Sequence, residues 1–304
     1  MKISKKTFKL ADAYRVNHGK SFRLKDFDPA ATRGLHSREE AGAMVQHSIA
    51  MLQDLQGKLY AQDEWSLLLI FQAMDAAGKD GVIKHVMSGV NPQACQVYSF
   101  KQPSTEELDH DFLWRTSKCM PERGRIGIFN RSYYEEVLVV RVHPEFLHKQ
   151  HLPQHLIGKK IWKERFDDIR NLESHLTRNG TVIRKFFLNV SKDEQKRRFL
   201  QRLDEPEKNW KFSEADVRER ECWPDYMHAY EEMIQGTATP DAPWYVVPAD
   251  HKWYMHTVVS AAIIETLESL DLALPKVDRE RRKDLDAARA ALEKNNKAQP
   301  KRRG

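Results

Sequence analysis

The sequence predicts an α/β protein of the P-loop kinase type, with a parallel five-stranded sheet flanked by helices. Five short, nearly continuous apolar runs recur along the 304 residues, and helical patterns separate them. The first run also leads straight into a Gly-Lys turn that opens a helix. Strands buried on both faces read as unbroken apolar runs, and their alternation with helices implies βαβ units.

Residues 1–36 show no periodicity and are expected to form an extended arm on the domain. From Ser37 the pattern is helical: Ser37 with Glu40 makes a capping-box signal, and Met44, Ile49, Leu52, Leu55 and Leu59 follow at helical spacing. "SLLLIFQA" is the first predicted strand. "CQVYSF" (95–100), "RIGIFN" (125–130), "TVIRKFFLNV" (181–190) and "WYVVPA" (244–249) are the other four. The helices between and after them are predicted over 79–90, 104–119, 131–140, 155–178, 191–204, 222–236 and 252–271. The charged stretch "DEPEKNWKFSEADVRERE" interrupts the alternation and predicts a helical lid over about 200–221, with a solvated helical hairpin as the alternative. The kinase domain is thus expected over 37–274, and 275–304 as a charged, partly disordered tail.

Bulk composition narrows the function. The chain is 40% hydrophobic, enough to bury a core, and carries 50 Lys and Arg against 44 Asp and Glu, a net charge of +6. The excess suggests an anionic partner, whether nucleic acid, nucleotide or inorganic phosphate chain. Cys95, Cys119 and Cys222 form no CxxC pair, which argues against a disulfide framework or zinc site and fits the reducing cytoplasm. The basic N-terminus has no long apolar run, and no stretch approaches a membrane span, so neither a secretory signal nor a membrane location is expected.

The chemistry concentrates in "QAMDAAGKDG". A strand, tight turn and helix start gather backbone N–H groups around an anion, so Ala76, Ala77, Gly78, Lys79, Asp80 and Gly81 are predicted to bind phosphate. The loop departs from G-x-x-x-x-G-K-[ST], with Ala73 for the first glycine and Asp80 for the hydroxyl residue. Asp75 and Asp80 beside a phosphate repel it unless a cation intervenes, which points to directly held Mg²⁺, with Mn²⁺ as a substitute. For Asp80 the alternative is a first-turn acid favoured by the helix dipole. After the third strand come Asn130, Arg131, Ser132, Tyr134 and Glu135, at the strand end where open α/β sheets bind ligands. Arg131 and Arg141 are predicted to fork onto phosphates. Arg115 is a candidate for an acceptor phosphate, and Arg198, Arg202, Lys208 and Lys211 for the lid half of a polyanion site.

Together "QAMDAAGKDG", "FNRSYYEEVLVVRV", "KFFLNVSKDEQKRRF", "KNWKFS" and "APWYVVPADHKWY" resemble the polyphosphate kinase 2 family over residues 15–272. The resemblance implies a thymidylate-kinase-like fold with a lid, and Mg²⁺-dependent phosphate transfer between inorganic polyphosphate and nucleotides. It implies that Lys79 and the loop hold the exchanged phosphates, that Asp75 holds Mg²⁺, and that Arg131 and Arg141 clamp phosphates. Arg198, Arg202, Lys208 and Lys211 would line the polyphosphate path, and Asn130 and Glu135 would lie near the nucleotide. Many members have Asp before Arg-Ser and Asn after the aromatic pair; Asn130 and Glu135 stand there instead. "FNRSYYE" thus resembles the third class, which phosphorylates both AMP and ADP. The family resemblance also implies adenine nucleotides as substrates and a homo-oligomer, dimer or tetramer. The alternatives are an ATP-dependent nucleoside-monophosphate kinase and a basic nucleic-acid binder, though the aromatic platforms of the latter are lacking.

Overall fold

The computed structural model describes residues 10–35 and 37–297, without the side chains of Ala43, Lys211 and residues 295–297. The elements, in chain order, are β1 (Arg15–Val16), α1 (Arg38–Gln62), β2 (Ser66–Gln72), α2 (Lys79–Val86), β3 (Cys95–Ser99), α3 (Thr105–Leu108), α4 (Trp114–Ser117) and β4 (Ile126–Asn130). There follow α5 (Val139–Val142), α6 (Ile161–Arg178), β5 (Thr181–Asn189), α7 (Lys192–Asp204), α8 (Glu214–Glu219), α9 (Trp223–Thr237), β6 (Trp244–Pro248), α10 (Lys252–Glu268) and α11 (Arg279–Lys297). Short 3₁₀ turns punctuate the connections.

The sheet order is β1-β6-β5-β2-β4-β3, parallel except at β1. The five expected strands are present and a sixth joins them, because Arg15 and Val16 pair antiparallel with Tyr245 and Trp244. A two-residue strand carries no periodicity, so the sequence gives no local sign of it. The arm is not extended throughout: 3₁₀ turns over Ala11–Tyr14, Gly19–Ser21 and Leu24–Asp26 fold it back, and Tyr14 and Phe22 enter the core.

Every residue of β2 is buried, as expected for a central parallel strand. Phe71, Phe186 and Tyr245 stand in register on β2, β5 and β6, and their rings stack at 5.0 and 5.3 Å. Such offset pairs add to the stabilisation given by burial alone. Helix α10 packs against both α1 and α2, so most of its circumference is apolar; α6 packs against α9. Ser37 Oγ accepts from Glu40 N at 3.1 Å, the expected cap of α1.

Helix boundaries differ from the sequence expectation where turn chemistry intervenes. Helix α2 stops at Val86, three residues before Gly89 takes φ +81°. The stretch 104–119 divides into α3 and α4, because the Asp111 carboxylate accepts from Leu113 N and turns the chain between them. Likewise 131–140 begins as a 3₁₀ turn over Tyr133–Val137, and the helix expected from 155 starts at Ile161. The described residues separate into two compact units between Leu272 and Ala273. In the second, α11 is helical with exposed side chains over 279–294, where partial disorder was expected. Its run of Ala, Glu, Leu, Lys and Arg favours helix. The expected disorder of the last seven residues, 298–304, falls outside the described residues.

Candidate active site

The loop after β2 is built around two unusual backbone conformations. Ala76 has φ +61° and Gly78 has φ +116°. A Cβ at Gly78 would sit 3.0 Å from Met255 Cε, so both conformation and space call for glycine there. Helix α2 starts at Lys79, and Asp80 occupies its first turn. Lys79 Nζ curls back over the loop and donates to Ala73 O at 2.7 Å. Burial pushes this ammonium down, and the Asp75 carboxylate pulls it back up. A cavity of about 540 Å³ opens here, lined by all six predicted loop residues from Ala76 to Gly81 as well as Asp75.

Arg131 follows β4 with φ +64°, rare for a side chain of that size, and its N–H donates to Phe71 O at 3.0 Å. That turn aims the guanidinium across the cleft. Its Nη2 donates to Asp75 Oδ1 at 2.9 Å, and its Nη1 lies 3.5 Å from Glu135 Oε2. Glu135 and Asp75 together hold the guanidinium firmly charged against the cost of its burial. Burial pushes the Glu135 carboxyl up, while Arg131 and Lys79 oppose the shift.

A second cavity of about 230 Å³ adjoins the first. Its apolar wall includes Leu108, Phe112, Val139 and Phe146, and Arg115 and Glu135 also line it. Arg115 is held by Lys101 O at 2.9 Å and stands over the Phe100 ring. Phe100, Lys101, Gln102 and Arg131 line both cavities, so Arg131 stands at their junction.

Arg202 and Lys208 line the loop cavity, Arg202 beside Asp216 of α8 at 3.6 Å and Lys208 paired with Glu205. Lys211 has its backbone in the turn Pro206–Lys211; its side chain is outside the described residues. Three of the predicted residues have partners that the sequence does not indicate. Arg141 lines neither cavity; it pairs with Glu232 of α9 and lies 5.9 Å from the Trp162 ring. Helix α5 simply turns it toward α9. Arg198 borders the loop cavity but does not reach out as a lid cation. It is 4% exposed and is spent on the carbonyls of Ala76, Ala77, Ala249 and Asp250. Asn130 lines the loop cavity, not the apolar one, and donates to Asp80 Oδ1 at 2.9 Å.

Lys252 and His256 of α10 also line the loop cavity, although no phosphate motif marks them. Burial pushes the Lys252 ammonium down, and Arg198 and Lys208 add to the shift. The signal that would have found them is positional: α10 starts beyond the C-terminal end of β6, where parallel sheets place their ligands.

A phosphate loop at the C-terminal end of a central parallel strand, with cations converging from three further elements, defines a P-loop kinase. Residues 35–273 match the family profile described as Polyphosphate kinase 2. The chain is 53% identical over 293 residues to the ADP-polyphosphate phosphotransferase of Rhodopseudomonas palustris, covering 96% of this chain and 99% of that one. It is 44% identical to the AMP/ADP-polyphosphate phosphotransferase of Meiothermus ruber, covering 86% and 95%. The crystal structure of Polyphosphate Kinase 2 from Arthrobacter aurescens superposes with a TM-score of 0.85 at 41% identity, covering 93% of this chain and 96% of that chain. The chain belongs to the polyphosphate kinase 2 family.

Proposed function

We propose that the protein transfers a terminal phosphate from inorganic polyphosphate to AMP and to ADP, reversibly, giving ADP and ATP. The observation that carries this reading is the junction at Arg131, where a cationic phosphate-loop cavity and an apolar cavity share a wall. A phosphate chain suits the first and a nucleoside the second, and the transferred group then lies between them. The bond from the terminal phosphorus to its bridging oxygen breaks, and a phosphate oxygen of AMP or ADP forms the new one. The names of the Rhodopseudomonas and Meiothermus relatives support this donor and these acceptors.

Phosphoryl transfer is catalysed mainly by positioning and by neutralising charge. In this proposal Lys79 and the loop amides hold the donor phosphates. Arg131 exchanges Asp75 for phosphate oxygens, Arg202 and Lys208 take the chain beyond, and Arg115 and Glu135 face the acceptor. Asp75 and Asp80 give hard oxygen donors at the loop, which fit Mg²⁺, an ion commonly bound by one or two carboxylates plus substrate phosphates. Bound there, Mg²⁺ would offset the phosphate charge. Among the described residues no cluster of three or more His, Cys, Asp or Glu is placed to hold a metal ion. The kinase domain over 37–274 with a lid near 200–221, a homo-oligomer and a cytoplasmic location complete the proposal. Among the described residues no helix is long and apolar enough to cross a membrane.

Replacing Arg131 tests the junction. Arg131→Met is expected to lower kcat by about 100-fold or more, the usual cost of one charge-stabilising donor. Turnover near the wild-type rate would refute the role given to Arg131.

A further inference from the structure

Three consecutive carbonyls of the phosphate loop point to one helix. The Asp75 carbonyl accepts from Gln195 Nε2 at 3.0 Å. The carbonyls of Ala76 and Ala77 accept from Arg198 Nη1 at 3.0 and 2.6 Å. Both donors lie on α7, Gln195 1% exposed and Arg198 4%. Arg198 is itself fixed on its other edges: Nη2 donates to Ala249 O at 2.5 Å and Asp250 O at 3.1 Å, and Nε to Glu194 Oε1 at 2.7 Å. Gln195 is fixed as well, because its Oε1 accepts from Arg220 Nη1 at 2.9 Å, and Arg220 also donates to Lys192 O. Arg220 caps the C-terminal end of α8, the lid helix.

Peptide planarity gives these contacts a consequence. In a trans peptide the C=O and the following N–H point in opposite directions. Holding the carbonyls of residues 75, 76 and 77 toward α7 therefore turns the amides of Ala76, Ala77 and Gly78 away from it. The Ala77 amide makes a 3.3 Å turn bond to Met74 O, while among the described residues no turn or loop bond uses those of Ala76 and Gly78. These are the donors a phosphate would need.

We propose that Gln195 and Arg198 are positioning residues that aim the phosphate-loop amides, and that Arg220 ties this setting to the lid. The proposal rests on reading the loop as the phosphate site. Neither α7 residue lines the apolar cavity, so their loss should act on the phosphate donor and spare the nucleotide.

The test uses the full chain and four variants: Gln195→Met, Gln195→Glu, Arg198→Lys and Arg220→Ala. Gln195→Met keeps length and removes the donor; Gln195→Glu keeps an acceptor for Arg220 and turns a carboxylate on the Asp75 carbonyl. Polyphosphate and AMP affinities are measured separately by calorimetry, with kcat/KM for polyphosphate and urea unfolding midpoints. Both Gln195 variants are expected to lose about tenfold in polyphosphate affinity or kcat/KM, the worth of one oriented hydrogen bond, with AMP affinity and midpoint unchanged. Arg198→Lys, whose single ammonium cannot span four carbonyls, should lose more. Gln195→Met combined with Arg220→Ala should lose no more than the worse single variant. Wild-type donor parameters in both Gln195 variants would overturn the proposal. So would a parallel fall of AMP affinity and midpoint in them, which marks a merely structural role. Additive losses in the double variant would overturn the tie to the lid. Wild-type protein that binds polyphosphate without turning it over would count against the proposed reaction alone, because the calorimetric arm still reads the loop.

Discussion

The most buried charge among the described residues gives the sharpest stability prediction. Lys185 on β5 is 0% exposed, and its partner Glu173 on α6 is 2% exposed. Lys185 Nζ donates to Glu173 Oε2 at 2.6 Å, Thr237 O at 2.8 Å and Tyr134 Oη at 3.0 Å. Glu173 Oε1 in turn accepts from Tyr134 at 2.6 Å and Tyr133 at 3.0 Å. Burial pushes the Lys185 ammonium down and Glu173 pulls it back. Lys185→Met removes the cation and leaves the carboxylate buried with two tyrosine donors. Breaking a buried pair this way costs about 3–5 kcal/mol. The two tyrosine hydrogen bonds left to the carboxylate place the expectation at the lower end, ~3 kcal/mol. Replacing both partners, Lys185→Met with Glu173→Leu, should recover most of that loss, because no charge is left unpaired. Urea unfolding at neutral pH measures all three proteins against wild type. Tyr133 and Tyr134 belong to the turn that carries Glu135, so Lys185→Met should also weaken nucleotide binding. A loss under about 1 kcal/mol, or a double variant no better than the single, would refute the reasoning.

Lys79→Ala should abolish all but a trace of activity, a fall of about 100-fold or more in kcat, with urea stability reporting whether the fold survives. Near-full turnover would remove the central phosphate contact. Glu135→Asn should change the ratio of AMP to ADP rates; an unchanged ratio would show that Glu135 does not govern the acceptor. His256 is half-buried, stacked on His85 at 4.5 Å and near Lys252; desolvation, His85 and Lys252 push its imidazole down to about 4 from 6.5. Its folded-state value lies below the unfolded one, so its contribution is complete above pH 6.5 and is lost as pH falls toward about 4. The loss is at most ~3 kcal/mol. His256→Phe should flatten the acid limb of the stability curve, and an unchanged limb would refute this.

The strands and the phosphate loop were legible because their signals are local. β2 is apolar at nearly every position because both of its faces are buried, and Gly78 marks a turn that needs positive φ. Arg131 was legible by its place after a parallel strand. Orientation was not legible. Spacing put Arg198 and Arg202 on one helix face, and both border the loop cavity, but the carbonyls of Ala249 and Asp250, far along the chain, claim the Arg198 guanidinium. Arg141 has an ion-pair partner 91 residues on. Lys252 lies within "APWYVVPADHKWY", where nothing marks it as a phosphate contact, and His256 lies just beyond that stretch; only the topology brings them to the loop. Such long-range partners are fixed by packing, and a single sequence does not print them.

The direct test of the central claim supplies purified protein with Mg²⁺ and long-chain polyphosphate, without ATP, and offers AMP and ADP separately. The account predicts ADP and then ATP from AMP, and ATP from ADP. No product from either acceptor, with AMP phosphorylation appearing only when ATP is the donor, would contradict it and leave an ATP-dependent nucleoside-monophosphate kinase.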